Sequence, residues 1–244
     1  MHIWDERRDL IIESNEEKAL QFCADQFVEI CKESIAAHNS FFVALSGGST
    51  PKALFKLLTK PPYSTKIDWS KVHLFWGDER SVPPNNLESN FHMAMEAGFS
   101  AMPIPPSQIH RMVAEQDIEK NALDYELLIE KHLQGKGFDL IMLGMGEDGH
   151  TASLFPNTAA LTVQGRLVVA NHVPQKNTYR MTFTYECINA ARHISIYVLG
   201  ENKKEILKEA LTSTTNIYPI EKIGTKTHKA TWIVDAKAAS LLEL

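Results

Sequence analysis

Three short apolar runs, each breaking at its carboxyl end into a polar segment that contains glycine, constrain this chain more than any other feature. They are Phe41–Leu45 ahead of Ser46-Gly47-Gly48-Ser49-Thr50-Pro51, Val72–Trp76 ahead of Gly77-Asp78-Glu79-Arg80, and residues 138–143 ahead of Gly144-Met145-Gly146-Glu147-Asp148-Gly149-His150. With Thr50 as cap and Pro51 as first helical residue, the first loop is predicted to feed a helix. Ser14 and Glu17 predict a capping box that opens an amphipathic helix over roughly 15–37, with Leu20, Cys23, Phe27 and Ile30 on its buried face. A second helical period, Ile118, Ala122, Tyr125, Ile129 and Leu133, separates the second and third runs. Short strands are expected at 167–170, 181–184, 194–199 and 231–234, helices near 202–212 and 236–242, and loops at 135–137 and 212–215. Strands alternating with helices, without repeat or linker, predict one α/β domain over 1–244, with a mostly parallel central sheet flanked by helices.

A chain of 244 residues, 44 % apolar and 23 % charged, can bury a full core without metal or disulfide staples. Lys plus Arg is 25 against 30 for Asp plus Glu, a net charge of −5 with no block of like charge. Such a surface offers no footprint for nucleic acid or an anionic membrane. Cys23, Cys31 and Cys187 form no CxxC pair, and an odd count suits a reducing compartment. The charged N-terminus and the lack of a long apolar run predict a cytoplasmic protein that neither enters nor crosses a membrane. Oligomeric state has no signature in the sequence.

In open α/β sheets, ligands sit beyond the carboxyl ends of the strands, where all three polar segments are expected to converge. Ser46, Gly47, Gly48, Ser49 and Thr50 combine close backbone approach, hydroxyl donors and a following helix N-terminus, which suits a phosphate group. A tight turn alone would also use these glycines. The GK[ST] ending of a nucleoside-triphosphate loop is missing. Asp78 could orient a sugar hydroxyl or share in proton transfer, and Arg80 could hold an anion by its two-pronged fork, although a local ion pair would read the same way. The third segment matches GxGxxG formally. Glu147 and Asp148 occupy the place of a pyrophosphate, however, and no acid follows at ribose-binding distance. An unperturbed imidazole titrates near 6.5, so His150 could take a proton from water, and Asp148 could orient it. His92, His110 and His150 fit no metal-ligand spacing, so neither metal nor other cofactor is expected, and no GxSxG elbow supports a serine hydrolase.

ALSGGSTPKALF at 44–55, WGDERSVPP at 76–84 with Ser89-Asn90-Phe91 downstream, and GMGEDGHTASLFP at 144–156 closely resemble three segments of the 6-phosphogluconolactonase family, in the same order. Arg180-Met181-Thr182, Gly200-Glu201-Asn202-Lys203 and the stretch from Trp232 to Asp235 extend the resemblance over nearly the whole chain. The resemblance implies a sugar-phosphate isomerase-like fold and hydrolysis of 6-phosphoglucono-1,5-lactone in the oxidative pentose phosphate pathway. It also implies Arg180 and Lys203 as further phosphate ligands. One departure is Pro174-Gln175-Lys176-Asn177, where the family often has a lysine followed by prolines ahead of the Arg-Thr strand.

The resemblance carries a mechanism: His150 activates water and returns the proton to the ring oxygen, Asp148 orients the imidazole, and Asp78 positions the sugar or supports proton transfer. Two alternatives rank lower. Glucosamine-6-phosphate deaminase shares the serine-glycine and aspartate-glycine-histidine loops, but typically carries Asp-Glu-Tyr where Arg80 stands, and uses a further acid. The stretch from Thr151 to Pro156 contains none. A sugar-phosphate sensor would need an attached DNA-binding unit for which few residues are left.

Overall fold

The computed structural model describes residues 2–213 and 217–243. Its main sheet has seven strands: β1 (His2–Ile3), β2 (Arg8–Glu13), β3 (Phe41–Leu45), β4 (Val72–Trp76), β6 (Leu140–Gly144), β9 (His193–Val198) and β10 (Ala230–Asp235). Their order is β1-β2-β10-β9-β6-β3-β4, with all pairs parallel except β1 with β2. The inner strands bury nearly every side chain. A parallel sheet covered on both faces demands this, and it explains why β3, β4 and β6 read as continuous apolar runs. From β3 the chain steps outward to β4 and then returns to lay β6 on the other side of β3, so the direction of winding reverses between β3 and β6. A crevice opens at the carboxyl ends of such a pair.

A second, antiparallel sheet consists of β5 (Asp78–Arg80), β8 (Thr178–Phe183) and β7 (Val168–Val173), in the order β5-β8-β7. Gly77 joins the two sheets: its N–H donates to Leu45 of β3 and its carbonyl accepts from Phe183 of β8. The strands expected at 167–170 and 181–184 therefore exist but lie outside the central sheet, and Asp78, Glu79 and Arg80 form a strand of their own where a loop was expected. The departure at 174–177 is a tight turn between β7 and β8, with Asn177 in the left-handed region at φ 48°.

Helix α1 (Glu16–His38) packs on β2, β3 and β10 and buries Cys23, Phe27 and Ile30 as the periodicity requires, while Leu20 is partly buried beside them. Its cap is Asn15, one residue beyond the expected Ser14, because the Asn15 side chain accepts from Lys18 N–H. Helix α2 (Ser49–Leu58) starts earlier than expected, with Gly48 as cap at φ 109°. Only glycine holds that conformation without strain, so the turn falls at Gly48 and Pro51 becomes the third helical residue. Helices α3 (Asn90–Glu96), α4 (Ile118–Leu133), α5 (Tyr185–Asn189) and α6 (Lys204–Thr212) complete the set, and α4 buries Ala122, Tyr125, Ile129 and Leu133. The helix expected at 236–242 is a 3-10 turn, Ala238–Leu241. Of the loop expected at 212–215, Thr214 and Thr215 lie outside the described residues.

Candidate active site

A cleft of about 250 Å³ opens where the winding reverses, lined by Ser46 to Pro51 after β3, Gly144 to Gly146 and His150 after β6, Asp78 and Arg80 from β5, and Asn202 and Lys203 beyond β9. The volume suits a small metabolite, since sites for drug-sized ligands run roughly 300–1,000 Å³.

On one wall, Gly48 has no side chain to cap α2 and Pro51 has no N–H, so the Ser49 and Thr50 amides stand uncapped at the positive end of the helix. Gly47 is required by a close approach, because a Cβ there would lie 2.1 Å from Asn90 Oδ1. Asn90 in turn donates from Nδ2 to Asp78 Oδ1 at 3.1 Å. Ser153 Oγ donates to Asp78 Oδ2 at 2.6 Å, and Ser153 is held by Thr182 and Asn171. Asp78 is buried with both oxygens engaged, a rigid carboxylate facing the cleft. Neighbouring Glu79 has a different role: it accepts from the N–H groups of Arg80, Asn90 and Phe91 and from Ser89 Oγ, fixing the start of α3. Burial raises the Glu79 pKa, and these four donors partly offset that rise.

On the opposite wall, the loop after β6 folds back on itself. Gly146 N–H donates to His150 O, Gly149 N–H to Gly146 O, and Thr151 Oγ1 to Gly144 O. A Cβ on Gly146 would meet His150 Nδ1 at 2.0 Å, so this glycine makes room for the imidazole. The His150 ring stacks on Phe155 at 4.0 Å between centroids, and its Nδ1 lies 2.5 Å from Asp148 Oδ1. Burial works against the Asp148 carboxylate, yet the hydrogen bond and charge of His150 hold its pKa below the ordinary value. A carboxylate on Nδ1 selects the tautomer with the proton there and leaves Nε2 as the basic nitrogen. Lys203 Nζ donates to Met145 O at 2.9 Å, which ties the β9 end to this loop.

The candidate residues Ser46, Gly47, Gly48, Ser49, Thr50, Asp78, Arg80, His150 and Lys203 all line the cleft. Asp148 stands behind His150. Arg180 is off the lining, on β8 opposite Arg80. Asn90 and Ser153 carry no signal in the sequence, although both lie beside the glycine-containing segments; what they do depends on a carboxylate 12 and 75 residues away.

The family described as glucosamine-6-phosphate isomerases/6-phosphogluconolactonase matches residues 14–232, most of the chain. The chain belongs to this family. A 6-phosphogluconolactonase of Chlamydia pneumoniae is 40 % identical over 229 residues, which cover 92 % of this chain and 86 % of the relative. Another, from Haemophilus influenzae, is 40 % identical over 202 residues, 82 % of this chain and 87 % of that one. The solved 6-phosphogluconolactonase of Trypanosoma cruzi superposes with a TM-score of 0.86 at 27 % identity, covering 100 % of this chain and 99 % of its own. In this family setting, the cleft brings together a paired imidazole, a fixed carboxylate, an uncapped helix start and the Arg80 guanidinium, with Arg180 behind it on β8. That arrangement offers a base for water and several donors for an anionic sugar.

Proposed function

We propose that this chain hydrolyses 6-phospho-D-glucono-1,5-lactone to 6-phospho-D-gluconate, the lactonase step of the oxidative pentose phosphate pathway, acting in the cytoplasm as a single unit over residues 1–244. The observation that carries the reading is His150 lining the cleft with its Nδ1 paired to Asp148, in a chain 40 % identical to a curated lactonase. A lactone carbonyl is already electrophilic, so a positioned base and stabilisation of the developing oxyanion suffice without a covalent nucleophile.

In this reading His150 Nε2 takes a proton from water as the water oxygen attacks the carbonyl carbon. The tetrahedral intermediate then expels the ring oxygen, which receives the proton back from the imidazolium. Asp148 orients the ring. Asp78, fixed by Asn90 and Ser153, positions a sugar hydroxyl. Ser46, Gly47, Gly48, Ser49 and Thr50, with Arg80, Arg180 and Lys203, hold the phosphate, and binding there keeps the carbonyl in attack geometry.

Deaminase chemistry fits less well, because the residues after His150 serve other ends: Thr151 closes the loop on Gly144 and Ser153 holds Asp78. The test is direct. With freshly generated lactone the protein releases acid well above the spontaneous rate, and with glucosamine 6-phosphate it releases no ammonia. Ammonia release without lactone hydrolysis would install the deaminase instead.

A further inference from the structure

At the β4 edge of the main sheet, three histidines from separate elements meet: His73 in β4, His110 on the segment that bridges to β4 at Leu74 and Ile109, and His132 in the last turn of α4. None of them lines the cleft. One ring nitrogen from each lies within 4.8 Å of the others, and His73 Nδ1 stands 3.3 Å from His110 Nε2.

We propose that His73, His110 and His132 form a binding site for a divalent cation of the zinc class, structural in role and separate from the catalytic cleft.

The donor set selects the class. Three imidazoles suit zinc, cobalt, nickel or copper, whereas magnesium and calcium demand oxygen ligands. Zinc–nitrogen bonds of about 2.0–2.1 Å in a tetrahedron place neighbouring nitrogens about 3.3–3.4 Å apart. The His73–His110 separation already equals one edge of that figure. The two nitrogens face each other nearly in line, with ring centroids 5.6 Å apart. A turn of about 35° in each ring aims both lone pairs at a shared point, and a ring nitrogen of His132 lies within 4.8 Å of both.

The surroundings suit an ion as well. Phe75 packs on the His110 ring at 4.3 Å and Phe42 on the His73 ring at 4.7 Å, giving an apolar inner wall. His73 and His132 are partly exposed, which provides an entry path and room for water as the fourth ligand. Burial pushes His73 down to about 4 and His110 to about 3, and it lowers His132 too, so at neutral pH all three are in the neutral, ligating form. Aromatic packing alone would be served by phenylalanine at these positions; without an ion, His73 Nδ1 and His110 Nε2 share an N–H···N hydrogen bond at 3.3 Å, which leaves the third imidazole, His132, unexplained. The spacing 73, 110 and 132 matches no sequential ligand motif, which is why the sequence carried no sign of the site.

The test uses the full chain with any affinity tag removed, stripped by a chelator and titrated with Co²⁺. One equivalent is expected to give the visible ligand-field absorption of tetrahedral cobalt, to be displaced by Zn²⁺, and to raise the melting temperature by several degrees. His73→Gln and His132→Gln, chosen because both rings reach the surface, are each expected to lose the absorption while retaining wild-type circular dichroism. His172→Gln, at an exposed position on β7, keeps it. A wild-type protein that gives no such absorption, or an absorption unchanged in both His73→Gln and His132→Gln, overturns the proposal.

Discussion

Arg80 and Arg180 stand opposite each other across the antiparallel pair β5 and β8, and among the described residues neither guanidinium forms a salt bridge. The Nε atoms of both are buried without a hydrogen-bond partner, while Arg80 Nη1 donates to Glu88 O. Burial, then the charge of Arg80, lowers the Arg180 pKa. Asp78, Glu88 and Glu79 partly offset that repulsion, and in the proposed function the substrate's phosphate would supply the missing acceptors.

Removing one fork should therefore act on binding. Arg180→Ala is expected to raise KM about ten- to a hundredfold, the loss of a charge-assisted bond worth roughly 1.5–3 kcal/mol, with a smaller fall in kcat. Steady-state kinetics on the lactone check this. Wild-type KM in the variant would leave Arg180 as a half-buried cation with no part in substrate binding.

Gly146 tests the geometry of the base. Alanine is tolerated by its backbone, since Gly146 does not occupy the left-handed region, but the new methyl would overlap the His150 ring. Gly146→Ala is expected to retain the fold and to lower kcat at least tenfold, because a small displacement of a catalytic group costs on that scale. A melting curve beside kcat separates this from simple destabilisation.

The parts of this molecule legible in the sequence were those governed by local pattern. Apolar runs gave β3, β4 and β6, and the period of Ile118 to Leu133 gave α4, since burial on both faces of a sheet or on one face of a helix leaves a direct trace. The strand Arg8–Glu13 left a weaker one: flanking charges at Arg8, Asp9 and Glu13 interrupt its apolar centre, and its pairing with β10 joins opposite ends of the chain. The second sheet escaped for a similar reason, because β5 is only three residues and is defined by its partner β8. At the site, the loops themselves carried the signal for His150 and the glycines. The clamp of Asn90 and Ser153 on Asp78 is a long-range contact and could not be read from spacing.

The histidine cluster predicts acid sensitivity of the metal-free protein. His73 and His110 have pKa values of about 4 and about 3 in the fold, set by burial first and by neighbouring imidazoles second, against an ordinary 6.5. As pH falls below 6.5 the unfolded chain binds protons that the fold refuses, so stability present above 6.5 is lost progressively toward pH 4 and 3. Urea unfolding in EDTA should show stability falling steadily as the pH is lowered from 7 to 5. His110→Phe should flatten that slope. A slope unchanged in the variant would show that other groups cause it.

The role of His150 as general base is tested most directly by His150→Asn, with kcat measured beside 6-phosphogluconate affinity and melting temperature. Asparagine keeps a polar side chain but cannot accept a proton near neutral pH. The expected result is a kcat lower by roughly 10²–10⁴, with product affinity and melting temperature close to wild type. Turnover within a few-fold of wild type, or a loss explained wholly by lowered melting temperature, would contradict the role assigned to His150 and shift it to Asp78 or Asp148.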